Sequence, residues 1–248
     1  MPRYRLTIEY AGTRYSGWQI QQNANTVQGE LNRAIQEGLK PARFETYGSG
    51  RTDSGVHALA QVAHLDLPSI VEPEAILSQV NAALPHDIMV LAAERVPARF
   101  HARHSAIARS YLYQIARRRD AKSKPLVWWV REPLNVEAMR TAAASLVGFA
   151  DFRAFTDDDP EEKSTRVLVQ SLTIVEEGPL IIVRIVGSHF LWKMVRRIVG
   201  VLVEVGKGNL APDKVPALMA GDSGLPAKLT APPSGLFLER VYYEGDAL

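Results

Sequence analysis

Apolar and polar positions alternate at the start of the chain: Tyr4, Leu6, Ile8 and Tyr10 are set between Arg3, Arg5, Thr7 and Glu9. A period of two sends the first set to one face of a strand and the second to the other. Residues 11–25 break the pattern with Gly12, Gly17, Trp18 and a run of glutamines, and read as a loop in which Trp18 covers a core edge. The period then changes. Val27, Leu31, Ala34 and Ile35 recur at helical spacing, Thr26 stands at the N-cap, and Gly38 and Pro41 close the segment. Residues 43–47 and 59–67 read as strands, 73–84 as a helix with proline at its start, and 88–96 as a strand. This β-α-β-β-α-β order is that of a ferredoxin-like split sheet.

The second half reads as a looser copy. Residues 106–116 form a strand with Tyr111 and Tyr113 on one face, followed by a basic loop over 117–124 and a helix over 135–147. A polar loop over 149–163 carries Asp157, Asp158 and Asp159. Residues 167–175 and 180–186 form a hairpin through Glu176, Glu177 and Gly178. The helix over 191–205 has an apolar arc of Leu191, Met194, Val195, Ile198, Leu202 and Val205, with Lys193, Arg196 and Gly200 opposite. A short helix near 213–220 and a strand over 235–243 complete the chain. The boundary falls at 104–107 without a flexible linker. The expected fold is α+β: two ferredoxin-like halves, 1–105 and 106–248, sharing a continuous, mostly antiparallel sheet flanked by helices.

Composition narrows the functional classes. The 248 residues are 46% hydrophobic and 23% charged, as in soluble globular proteins. No apolar run is long enough to span a bilayer, and the first ten residues are a strand pattern rather than a signal peptide. There is no cysteine, which excludes disulfides, Cys-ligated zinc, iron–sulfur clusters and thiol catalysis and fits the cytoplasm. Net charge is only +2, yet residues 95–131 hold ten Lys or Arg against one acid, Asp120. One basic block in a near-neutral chain points to a polyanionic partner.

The densest chemistry lies in Gly48-Ser49-Gly50-Arg51-Thr52-Asp53-Ser54-Gly55-Val56-His57. Glycines let a ligand approach the main chain. Arg51 beside Asp53 favours an ionised carboxylate, able to act as nucleophile or base. The competing reading is a surface turn capped by Asp53. Asp-Ser-Gly recurs at Asp222, but a shared-proton aspartate dyad needs an apolar setting that Arg51 opposes. The six histidines have no paired spacing, the three aspartates read as a solvated loop, and no metal site is expected. A non-catalytic RNA-binding module of ferredoxin-like fold is the alternative from another class. It lacks a use for the Arg51/Asp53 loop, and the inner strands lack its aromatic signature.

This loop, continued by Ala58, resembles the signature loop of the TruA-type tRNA pseudouridine synthases. The resemblance extends through Tyr10-Ala11-Gly12, Gly17-Trp18-Gln19 and Thr26-Val27-Gln28. It continues in Phe100-His101-Ala102-Arg103, Arg109-Ser110-Tyr111-Leu112-Tyr113, and Asp151-Phe152 with Phe155. Residues 190–200 and Ala231-Pro232-Pro233 with Gly235-Leu236 complete it, and Trp192-Lys193 is a small departure. The resemblance implies a pseudouridine synthase fold and isomerisation of uridine at positions 38, 39 and 40 of the tRNA anticodon stem-loop. It implies a cytoplasmic homodimer with no cofactor and no metal. It makes Asp53 the nucleophile and Arg51 and Arg196 its cationic partners, with Tyr111 on the target base. Arg103, Arg109, Arg117, Arg118 and Arg119 are the expected RNA contacts. The sequence leaves open whether Tyr111 accepts the C5 proton or only stacks, and whether Asp53 attacks the sugar or the ring.

Overall fold

A computed structural model of the chain describes every residue except 160, 162, 163, 221, 222 and 248. Asp222, in the second Asp-Ser-Gly triplet, lies outside the described residues. The chain packs as two compact units, Met1–Ile107 with Phe237–Leu248, and Ala108–Leu236.

In the first unit β1 (Arg3–Tyr10), α1 (Val27–Leu39), β2 (Glu45–Gly48), β3 (His57–Asp66), α2 (Pro73–Ala83) and β4 (Ile88–Val96) follow the order read from the sequence. β1 lies between β4 and β3 and is antiparallel to both, with Leu6 opposite Ala63 and Ala93. Tyr4, Leu6 and Ile8 are fully buried, as are Leu31 and Ile35 of α1 and Ile76 and Val80 of α2. Burying each such side chain contributes roughly 1.5–3 kcal/mol, so this core dominates the unit. The Thr26 hydroxyl caps α1 by accepting the Gly29 N–H at 3.2 Å. On the opposite face Arg3 forks onto Asp66 at 2.6 and 2.7 Å. That pairing holds the Asp66 carboxyl below the usual carboxylate range.

The second unit carries β5 (Ala106–Ala116), which begins at the boundary, then β6 (Trp128–Trp129), α3 (Val136–Ala144), β7 (Gly148–Asp151), β8 (Arg166–Glu177) and β9 (Leu180–Gly187). It continues with α4 (Met194–Gly206), α5 (Val215–Ala220) and α6 (Leu225–Lys228). The strands run β5-β9-β8-β7, antiparallel, with β6 parallel to β5. The β8–β9 hairpin turns at Gly178, whose φ is +56°.

One expectation changes here. Residues 149–163 are not simply a polar loop: they begin in β7 and continue through a 3₁₀ turn at Arg153–Phe155, with Phe152 and Phe155 fully buried. On α4, opposite the apolar arc, Gly200 packs against distant backbone. A Cβ at Gly200 would stand 1.7 Å from the Leu229 carbonyl oxygen, so this is a close backbone crossing that only glycine permits.

The last strand, β10 (Leu236–Tyr243), returns to the first unit, where Phe237 and Leu238 pair parallel with His57 and Ala58. One edge of β3 is therefore divided. β2 takes Ala63 to Asp66 and β10 takes His57 and Ala58. The β2–β3 connection, residues 49–56, departs between these two partners.

Candidate active site

That connection is the glycine-rich loop, and it is fastened at both ends. Ser49 donates its N–H to the Val62 carbonyl at 2.7 Å and its hydroxyl to Gln61 Oε1 at 2.7 Å. Gln61 Nε2 donates to the Gly50 carbonyl at 3.2 Å. At the far end His57 is buried and stacks on Phe237 at 4.7 Å, and its Nδ1 accepts the Gly12 N–H at 3.0 Å.

The middle of the loop is held by residues 10–18. The Thr52 carbonyl accepts the Trp18 N–H at 3.1 Å, and the Thr52 hydroxyl shares a 2.8 Å hydrogen bond with the Tyr10 phenol. The Tyr15 carbonyl accepts both the Gly55 N–H at 3.3 Å and the Ser54 hydroxyl at 3.2 Å. Gly17 has φ +93°, and a Cβ on it would lie 2.5 Å from the Thr52 carbonyl oxygen. Trp18 is buried against Gly48, as a core-covering residue should be. The Tyr15 phenol donates to Asp87 at 2.5 Å, and burial followed by that bond pushes its pKa far above the ordinary tyrosine value. Sequence reading missed Tyr15, Asp87 and Gln61 as supports. Tyr15 and Asp87 stand 72 residues apart and Gln61 stands 12 from Ser49, and spacing alone does not join them.

The loop consequently buries Ser49, Thr52, Val56 and His57, and presents Arg51, Asp53 and Ser54 outward, with Asp53 half-buried. The Val56 N–H closes a turn on the Asp53 carbonyl at 3.2 Å. Arg51 lies two residues before Asp53. It is exposed, and among the described residues no ion pair joins it to Asp53. An exposed ion pair gains about 0–1 kcal/mol, too little to hold a long side chain against its own entropy. Arg51 is therefore available to a ligand.

In the second unit, the start of α4 is built around Asp157. Its carboxylate pairs with the buried Arg197 and accepts from the Lys193 ammonium at 3.0 Å. Asp158 accepts the Trp192 N–H at 3.1 Å. The Arg197 hydrogen bond holds the Asp157 carboxyl below its ordinary range. Asp157, exposed as expected, and Asp158 thus also anchor the start of the helix, and Lys193 enters it in the left-handed region at φ +61°. Arg196 is fixed by the terminal block: its Nε donates to the Ala231 carbonyl at 2.7 Å, and its own carbonyl accepts the Ala231 N–H at 3.0 Å.

Tyr111, on β5, is half-buried and meets the Phe190 ring edge-on at 5.2 Å. Tyr113 is buried, with its phenol donating to the Pro232 carbonyl at 2.7 Å. Arg109 donates to the Ser188 carbonyl at 3.0 Å, and Arg117 pairs with Glu176, so both have structural duties. Arg103, Arg118 and Arg119 are exposed, with the Arg119 guanidinium 5.9 Å from the centre of the Trp129 ring. Among the described residues no helix is long and apolar enough to cross a membrane, and no cluster of three or more His, Cys, Asp or Glu is placed to hold a metal ion.

A half-buried carboxylate on an anchored loop, in a mixed α+β chain with a basic segment, is the arrangement an enzyme acting on a polyanion would need. The sequence model of the tRNA pseudouridine synthases matches residues 6–105 and 142–244. The tRNA pseudouridine synthase A of Nitrobacter winogradskyi is 42% identical over 248 residues, 99% of this chain and 97% of that protein. That of Rhodopseudomonas palustris strain BisA53 is 42% identical over 247 residues, 98% of this chain and all of that protein. The enzyme of the same name from Bradyrhizobium sp. is 40% identical over 247 residues, again 98% of this chain. The chain belongs to the tRNA pseudouridine synthase family and is an isomerase. This sets aside the non-catalytic RNA-binding module.

Proposed function

We propose that this enzyme converts uridine to pseudouridine at positions 38, 39 and 40 of the tRNA anticodon stem-loop, in the cytoplasm, as a homodimer, with no cofactor and no metal. Asp53 is the nucleophile, and the subdomain of residues 1–105 carries it. The observation that supports this reading best is the loop itself: Ser49, Thr52, Val56 and His57 are buried and hold it to the core, while Asp53 between them stays half-buried.

The chemistry balances without a co-reactant. The N1–C1′ bond breaks, the uracil turns, and a C5–C1′ bond forms. The C5 proton leaves to a base and N1 gains a proton, so nothing is oxidised and no group is donated. Asp53 supplies the carboxylate that attacks and is later released. Tyr111 contacts the target base, and its hydroxyl is the proposed acceptor of the C5 proton. Arg51 and Arg196 are the proposed cationic partners of the carboxylate. A uridine in a stacked stem must be flipped out, which costs a few kcal/mol. Phosphate contacts from Arg103, Arg109, Arg118 and Arg119 offset that cost, and they position the RNA more than they read it.

The test is release of tritium from tRNA labelled at uridine C5, using purified enzyme in buffer with a chelator and no additive. Release mapped to positions 38–40 is expected, and release confined to other positions, or none, overturns the reading. The basic loop gives a second expectation. Arg118→Glu with Arg119→Glu should weaken tRNA binding and flatten its dependence on salt by about one unit of slope for each phosphate no longer engaged. Arg117→Glu alone should do less, because Arg117 is already paired with Glu176. An unchanged slope in the double variant would place this loop away from the RNA.

A further inference from the structure

The face of the first unit opposite its helices carries a chain of rings. Tyr47 and His64 are cross-strand partners on β2 and β3, with ring centres 5.2 Å apart and planes 19° from parallel. His64 meets His101 at 4.7 Å, and His101 meets His104 at 4.3 Å. His101 also lies 5.9 Å from Tyr47.

The inner end of this chain is locked. His64 is buried, and its Nδ1 accepts the Ala102 N–H at 3.2 Å. His101 Nδ1 accepts the Arg103 and His104 N–H groups at 3.2 and 3.3 Å, and the His101 N–H donates to the Ser105 hydroxyl at 2.9 Å. The same segment is clamped to the sheet by Arg3, which donates to the carbonyls of Ala98 at 2.9 Å and Phe100 at 2.6 Å. The Tyr243 phenol adds a third clamp, donating to the Ala102 carbonyl at 2.7 Å. Burial, with help from Arg3, lowers the His64 pKa to about 4, and burial lowers that of His101 as well. At neutral pH the rings behind Tyr47 are therefore uncharged.

The outer end is open. Tyr47 is 51% exposed, and it directly precedes Gly48, where the loop that presents Asp53 begins. A single exposed tyrosine is ordinary. This one differs because its ring is already oriented by a buried partner, so little rotamer freedom is left to lose when something stacks on it. Arg103, exposed, gives the border a cation suited to a phosphate.

We infer that Tyr47, backed by His64 and His101 and bordered by Arg103, is a nucleobase-stacking subsite for an unpaired base of the tRNA other than the uridine that reacts. The inference rests on the proposed tRNA substrate. Stacking is tolerant of base identity, because every base presents a π-face. That suits an enzyme acting at three neighbouring positions, where the nucleotide displaced beside the target differs from one position to the next.

The test compares Tyr47→Leu, Tyr47→Phe and Tyr47→Trp on an unmodified tRNA transcript. Leucine keeps apolar bulk without a π-face. It should weaken binding about 5- to 100-fold while kcat at saturating tRNA stays near that of the unaltered enzyme. Phenylalanine and tryptophan should bind like tyrosine. Photocrosslinking of the unaltered enzyme to tRNA, with the attached peptide identified by mass spectrometry, gives a readout that does not depend on the folding of a variant. It should recover the Tyr47 peptide joined to a nucleotide near position 39. Equal binding by the leucine variant, binding by phenylalanine as weak as by leucine, or absence of the Tyr47 peptide among the crosslinks would each overturn the subsite. An unaltered enzyme that forms no pseudouridine in the anticodon arm would instead overturn the proposed substrate, so the two failures are separable.

Discussion

Asp53→Asn is expected to fold, to bind tRNA, and to form no detectable pseudouridine. The amide has nearly the shape of the carboxylate. Ser49, Thr52, Ser54, Gly55 and the Asp53 main chain make bonds that anchor the loop, and these survive the substitution. What changes is nucleophilicity and one unit of charge. Losing an acid–base helper costs on the order of a hundred- to ten-thousand-fold, whereas losing the group that forms the covalent bond removes the reaction path itself. RNA affinity should not fall, because a negative charge has been removed from a site that receives phosphates. The measurement is tritium release by both proteins in one buffer, alongside their tRNA affinities. Substantial product from the asparagine variant at equal affinity would sink the nucleophile assignment.

Tyr111→Phe should retain tRNA binding and lose about a hundred- to ten-thousand-fold in turnover, the range for removal of a general base. Its ring keeps its edge-on contact with Phe190, and β5 keeps its register with β9, so the fold is not at stake. Only the hydroxyl proposed to accept the C5 proton is gone. Single-turnover rates at saturating enzyme separate chemistry from binding. A near-normal rate would reduce Tyr111 to a stacking platform and move the search for the base elsewhere.

Local pattern carried the elements a long way. Period-two alternation found β1, and helical spacing with a Thr26 cap found α1, because in both cases one face meets a core and the other meets water. The glycine-rich loop was equally legible: no core strand or helix accommodates three glycines, an arginine and an aspartate within ten residues. The basic segment was visible as a composition, but which of its members are held by the fold was not. Arg117 is held by Glu176, 59 residues on, and Arg109 by the Ser188 carbonyl, 79 residues on.

The omissions share one cause. A polar residue or glycine looks the same in sequence whether it faces water or a distant piece of backbone. Gly200 and Arg196 lie opposite the apolar arc of α4, yet they pack on residues 229–231, which spacing within the helix does not show. Asp157 is solvated as it looked, but it also holds buried Arg197, which its neighbours in sequence do not reveal. Phe152 and Phe155 sat in a stretch too polar to suggest a core.

The sequence by itself determined the elements, the candidate nucleophile and the family, because each rests on residue types within a short span. Tertiary structure alone decided what immobilises that nucleophile. The Tyr15 carbonyl, Gly17, Gln61 and the division of one β3 edge between β2 and β10 act through contacts whose geometry no periodicity encodes. It also left Arg51 in solvent, since neighbours in sequence pair only when burial or a rigid partner makes the pairing outweigh side-chain freedom.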